Sequence, residues 1–241
     1  MREPIYSYRI TDYDRSLIPN RFVAFLDESV RGPDDWVARS GRSLGHPGWG
    51  LVYHMVIARL DPDHPNLIVE TGTNVGSTAL IIAQAIKDSG RTGLVKTIEL
   101  DPGIAAEARQ RADLAGMSDY IEFHEGDSLS VLQAILGPSD LVDVAFLDGS
   151  HFHDHVVQEF GLVHPHLAHD SIVVFDNTYA IAEDREDPRV NGALRTIVSQ
   201  FGGNLINLPF TSWYTPGLAF WQQCAFTDMT PPVPGSFDPD S

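Results

Sequence analysis

A glycine-punctuated turn carries the first chemistry legible in the chain. Leu67-Ile68-Val69-Glu70-Thr71 runs directly into Gly72-Thr73-Asn74-Val75-Gly76-Ser77, which reads as a strand, a turn and a helix start whose glycines let the backbone approach a ligand closely. A dinucleotide fingerprint would read G-x-G-x-x-G and clear room for a pyrophosphate at the helix N-terminus. Here Thr73 and Asn74 follow Gly72, so the turn suits a ligand without phosphates. Glu99 stands 23 residues beyond Gly76, at the end of the next apolar run, where a carboxylate can accept both hydrogens of a ribose diol. After the third run comes Glu125-Gly126-Asp127-Ser128, in which Asp127 and Ser128 are expected to fix an adenine edge by side-chain and backbone hydrogen bonds.

These residues need a scaffold that brings strand ends together. From Leu67 onward, short β-branched apolar runs alternate with helical patterns, the signature of a parallel sheet with crossover helices. The runs place strands at 67–71, 94–99, 120–124, 142–147 and 171–176, with helices near 77–88, 103–115, 127–136 and 153–165. A further helix over Val190 to Phe201 leads to two short strands, Asn204–Leu208 and Gly217–Trp221, expected as a hairpin at the sheet edge. Residues 1–60 lack a strand pattern and are expected to form a helical cap over the site, before an α/β domain at 61–227. The last residues, 228–241, hold four prolines and acids and are expected to be a disordered tail.

Residues 66–180 resemble the class I S-adenosylmethionine-dependent methyltransferases, and among them the metal-dependent catechol O-methyltransferase group. The resemblance is densest in Thr97-Ile98-Glu99-Leu100-Asp101-Pro102 with Ala105-Ala106, in Val144-Ala145-Phe146-Leu147-Asp148, and in Val174-Phe175-Asp176-Asn177. Asp148-Gly149-Ser150-His151 is also similar to antibiotic-tailoring sugar and macrolide O-methyltransferases. The resemblance implies a Rossmann-like α/β fold, with a mainly parallel seven-stranded sheet, helices on both faces and an antiparallel last strand. It implies that Glu70, Gly72 and Glu99 hold S-adenosylmethionine; Thr73, Asn74, Gly76, Ser77, Asp127, Ser128 and Asp148 complete the expected cofactor site. It further implies that Asp148, Asp176 and Asn177 bind a divalent cation. Two carboxylates and an amide oxygen make a hard, all-oxygen site that suits magnesium and a substrate's hydroxyls. Where catechol methyltransferases carry a lysine base three residues after the first metal-binding Asp, this chain has His151. An imidazole titrates near neutrality, so His151, beside Asp148, is the expected catalytic base. His153 and His155 follow at alternate positions and are read as a solvated loop rather than a second metal site.

The mouth of such a site would be walled by the N-terminal helices and by the loops at 178–190 and 209–216, with His46, Trp49, Tyr179, Trp213 and Tyr214 as candidate walls and the acidic run 182–187 as a solvated segment or a lid. The expected substrate is a small hydroxylated molecule such as a phenol, a sugar or a natural-product intermediate. A formal net charge of -17, from 16 Lys+Arg against 33 Asp+Glu, opposes the counterion release that drives nucleic-acid binding, so neither nucleic acid nor an anionic membrane is expected as a partner. A homodimer is consistent with exposed N-terminal helices. The lone Cys224 excludes an intrachain disulfide framework and is read as a core residue. With no apolar signal core at the N-terminus and no run of roughly 18 apolar residues, a soluble cytoplasmic protein is expected. Two other readings stay open: the same fold running an iron-dependent oxidation, and a nucleotide-binding oxidoreductase or binding module.

Overall fold

The strands grow from two apolar runs that are buried along their whole length, Val142–Leu147 and Ser171–Asp176. Strands covered on both faces lose the alternation of half-exposed sheets and read as continuous apolar sequence. The computed structural model describes residues 48–178, 189–208 and 217–223. In chain order these form α1 (Gly48–Arg59), β1 (Asn66–Thr71), α2 (Ser77–Ser89), β2 (Gly93–Glu99), α3 (Pro102–Ala115), β3 (Ile121–Glu125), α4 (Ser128–Ile135), β4 (Val142–Leu147), α5 (His153–Val163), β5 (Leu167–Asp176), α6 (Val190–Phe201), β6 (Asn204–Leu208) and β7 (Leu218–Gln222). The seven strands lie in the order β3-β2-β1-β4-β5-β7-β6. Neighbours from β3 to β5 are parallel, and β7 runs antiparallel to both β5 and β6. The expected hairpin is present, with β6 outermost and β7 inserted against β5.

Successive side chains of each strand feed two separate cores. Ile68, Val144 and Phe146 join one core with Val52 and Val56 of α1 and Ile82 of α2. Val69, Ala145 and Leu147 join the other with Leu132 of α4, Phe160 of α5 and Ile197 of α6. Helices therefore cover both faces, and α1, the one described part of the expected cap, packs into the first core. The single acid inside β4, Asp143, is buried at the amino-terminal end of the sheet, where it accepts the Leu67 N–H at 2.9 Å and faces His64 Nε2 at 3.2 Å.

Element ends depart from the sequence expectation where polar residues or proline intervene. β5 begins at Leu167, four residues early, because exposed His169 and Asp170 break the apolar run while the backbone still pairs with β4. β3 begins at Ile121 because Ser118–Tyr120 close a 3-10 turn. α5 stops at Val163, before a 3-10 turn containing Pro165, since proline cannot donate the next helical hydrogen bond. No helix among the described residues is long and apolar enough to cross a membrane. The segments 1–47, 179–188, 209–216 and 224–241, with His46, Tyr179, Trp213, Tyr214, Cys224, the acidic run and the tail, lie outside the described residues.

Candidate active site

β1 has β2 on one side and β4 on the other, and an open sheet has its ligand crevice at such a switch point, outside the carboxyl ends of the strands. Gly72 leaves β1 with φ +79° and donates its N–H to the Ile98 carbonyl at 3.0 Å. A side chain here would collide with the backbone carbonyl of Asp148. Asn74 also takes a left-handed conformation, φ +49°, stabilised by its own Oδ1 accepting the Val75 N–H at 2.7 Å. Its backbone N–H donates to Glu99 Oε2 at 2.7 Å, and Asp101 N–H donates to Glu99 Oε1 at 3.0 Å. Glu99 is thus held by two backbone donors at the end of β2, each oxygen keeping a lone pair for a further donor. Arg111 of α3 ties down the turn by donating to the Val75 carbonyl at 2.7 Å.

Glu70 lies beneath this turn, wholly buried. Its Oε2 accepts from the Thr97 hydroxyl, which lies 2.5 Å from the Thr73 hydroxyl. Its Oε1 is buried without a hydrogen-bond partner among the described residues. Burial pushes the Glu70 carboxyl up to about 8, with the Thr97 hydrogen bond opposing and the charges of Asp148 and Glu99 adding to the rise. An orphaned buried carboxylate oxygen is costly unless something cationic or a donor meets it.

Across the crevice the β4 turn is clamped to β1, Thr71 Oγ1 accepting the N–H groups of Asp148 at 3.2 Å and Gly149 at 3.0 Å. Asp148 Oδ1 faces His151 Nε2 at 3.2 Å and the Asn177 amide at 3.4 Å. That amide also lies 3.3 Å from Asp176 Oδ2 and 3.2 Å from His151 Nε2. Asn177 reaches them from a left-handed backbone, φ +53°. The Asn177 amide therefore brings Asp148 and His151 together with Asp176, from segments far apart in the chain. Burial raises the Asp148 carboxyl, opposed by its hydrogen bonds to His151 and Asn177. The hydrogen bond to Asp148 raises the His151 imidazole. The amide nitrogen faces these acceptors here; a half-turn about the Asn177 Cβ–Cγ bond presents its oxygen to the same point. Among the described residues no three His, Cys, Asp or Glu side chains are gathered to hold a metal, so a cation here would take its third donor from Asn177.

Several of the expected site residues also make contacts within the scaffold. The Asp127 carboxylate caps α4, accepting the Ser130 N–H at 3.2 Å. The Ser128 hydroxyl turns inward to Glu159 Oε1 at 2.5 Å and His155 Nε2 at 2.9 Å. Ser77 and Thr73 are buried, their hydroxyls facing Arg111 and Thr97. The histidines read as solvated are instead partly buried and partnered, His155 as above and His153 by Thr196 of α6 at 2.8 Å, because α5 packs between α4 and α6. Trp49 is buried in the first core. Leu100, 71% exposed, follows Glu99, and Phe152, 76% exposed, follows His151; neither is singled out by the sequence. The parts played by Thr71 and Glu159 depend on residues distant in sequence and carry no local signal.

The fold is the Rossmann-like methyltransferase fold, and residues 69–178 match the family model described as "Methyltransferase domain". A catechol O-methyltransferase of Niastella koreensis is 27% identical, over 53% of this chain and 58% of the relative. The pig enzyme of that name (Sus scrofa) is 33% identical over 35% of this chain and 45% of its own length. This chain therefore spans little more than half of the first of these relatives and less than half of the second. Among solved structures, the O-methyltransferase TomG from Streptomyces achromogenes, involved in tomaymycin synthesis and solved with S-adenosylmethionine, superposes with a TM-score of 0.66. It is 20% identical, covering 86% of this chain and 92% of that one, and shares the fold. The resemblance carried by the β2, β4 and β5 motifs is borne out by these matches.

Proposed function

We propose that the protein is an S-adenosylmethionine-dependent, divalent-cation-dependent O-methyltransferase acting on a hydroxyl of a small molecule, a phenol, a sugar or a natural-product intermediate. The observation that carries this reading is the convergence of Glu70 and Glu99 on one side of a crevice whose other side carries Asp148, His151, Asp176 and Asn177. S-adenosylmethionine is a sulfonium cation with an α-ammonium group. The orphaned oxygen of Glu70 and the cradle at Gly72, which a side chain would fill, fit such a ligand. Glu99 supplies the two lone pairs that a ribose diol needs.

Asp148, Asp176 and Asn177 are the residues that would hold the cation, an oxygen donor set suited to magnesium. When bound, a cation there lowers the pKa of an acceptor hydroxyl and orients its oxygen. His151 is the base at the mouth of the site. The acceptor oxygen forms a bond to the methyl carbon as the carbon–sulfur bond breaks, its electron pair returning to sulfur. The hydroxyl proton passes to the His151 imidazole. Apart from this proton transfer, the protein's contribution is to align the two reactants within about 3–3.5 Å and exclude water.

The test is a calorimetric titration with S-adenosylmethionine, with and without magnesium, on the wild type and on a folded Asp176→Ala variant. The reading requires cofactor binding in the wild type and a magnesium site lost in the variant. Cofactor binding without any magnesium site removes the metal dependence, and binding of neither removes the assignment.

A further inference from the structure

Behind the crevice is a buried acid that the proposed reaction does not use. Glu159 of α5 is wholly inaccessible to solvent. Its Oε1 accepts the Ser128 hydroxyl at 2.5 Å and faces His155 Nε2 at 3.3 Å, and His155 Nε2 also lies 2.9 Å from the Ser128 hydroxyl. Its Oε2 is buried without a hydrogen-bond partner among the described residues. Gly149, one residue past Asp148, presses on the same carboxylate: a side chain at 149 would collide with Glu159 Oε1 and crowd Thr71. Glu159 thus touches the turn after β3 and the turn after β4 at once, though it lies on neither.

An isolated buried carboxylate costs several kcal/mol and persists where it is paired and hydrogen-bonded. His155 supplies the hydrogen-bonding partner, its imidazole raised by the hydrogen bond to Glu159 and, more weakly, by the Glu159 and Asp127 charges, against its own burial. The consequence for Ser128 is geometric. Ser128 is the first residue of α4, so its backbone N–H has no partner inside the helix. Fixing its hydroxyl inward fixes the peptide that carries that N–H, at the carboxyl edge of the sheet where the adenine end of the cofactor is expected.

We propose that Glu159 is a positioning residue of the cofactor site: with His155 it locks the Ser128 hydroxyl inward and so aims the Ser128 backbone N–H at N1 of adenine. This rests on the methyltransferase reading above. Adenine N1 is an acceptor, whereas N1 of hypoxanthine carries a hydrogen, so a fixed donor at this point discriminates between the two bases. Glu159 touches no reacting atom; it acts through Ser128.

The test measures, by calorimetry on the full chain, the dissociation constants of S-adenosylhomocysteine and S-inosylhomocysteine. A site built around a donor should prefer the adenosyl compound by about tenfold or more, because the wrong base leaves that donor unpaired. In Glu159→Gln the adenosyl constant should rise about tenfold and the preference narrow to within about threefold. A loss confined to general stability would weaken both ligands alike and keep their ratio. Ser128→Ala, which leaves the Glu159–His155 pair in place, should narrow the ratio in the same way. The double variant should add little, since the two side chains act as one unit. An unchanged ratio in Ser128→Ala and in any folded Glu159→Gln overturns the inference while leaving the methyltransferase reading intact. A wild type that binds neither compound overturns both.

Discussion

The two banks of the crevice are built differently. The bank formed by β1, β2 and α3 is set by backbone: the left-handed residues Gly72, Asn74 and Gly76 shape it, and main-chain N–H groups hold Glu99 on both oxygens. The bank formed by β4 and β5 is set by side chains, Asp148, His151 and Asp176, which meet at the Asn177 amide. Backbone turns resist rearrangement because their hydrogen bonds and dihedrals are fixed together, whereas a cluster of acids, amide and imidazole can re-pair around whatever enters. The first bank suits an invariant cofactor, and the second suits chemistry on a variable acceptor.

If the banks are separable in this way, substitutions should divide cleanly between cofactor binding and turnover. The largest effect is expected for Gly72→Val, which combines a disfavoured positive φ with collision against the Asp148 carbonyl. Cofactor binding should be abolished and stability should fall by about 3 kcal/mol or more, read by calorimetry and thermal melting. Such a variant breaks both banks, because Gly72 is where they touch.

Asp176→Asn should do the opposite, lowering methyl transfer by about 10²–10³-fold while S-adenosylmethionine affinity stays within a few-fold. Chelation of divalent cations from the wild type should lower transfer similarly, and loss of cofactor affinity in either experiment would show that the banks are coupled. Glu99→Gln keeps one acceptor oxygen but loses the charge. It should weaken cofactor binding by about 10–100-fold, the worth of a charge-assisted hydrogen bond, with turnover at saturating cofactor little changed.

Glu70 gives the cofactor bank a pH signature. Its carboxyl is raised from 4.5 to about 8 in the folded chain, so between those values the folded state holds a proton that the unfolded state has released. Stability from this group is complete below pH 4.5 and is lost as pH rises through about 8, with a slope approaching about 1.4 kcal/mol per pH unit. Melting temperature against pH should show the decline in the wild type and a flatter profile in Glu70→Gln. The smallest effect belongs to Phe152→Ala. At 76% exposure the ring contributes about 0.5 kcal/mol or less to stability, yet it adjoins His151, so acceptor KM should shift while cofactor affinity does not.

The sequence by itself determined the alternation of elements, the positions of Gly72, Gly76 and Glu99, and the acids at the ends of β4 and β5. Each of these follows from local physics: strand periodicity, the backbone freedom of glycine, and motif spacing within one turn. It left open whether Ser128 acts through its side chain or its backbone and favoured a solvated loop for His153 and His155, because composition near a helix start carries no information about what packs on it. Only the tertiary structure decided those, by packing α5 between α4 and α6 so that Glu159, 31 residues from Ser128, draws its hydroxyl and His155 inward. The pairing of Thr71 with the β4 turn 77 residues away was hidden for the same reason. A buried carboxylate and the groups that compensate it are chosen by proximity in space, and residue spacing along the chain does not report it.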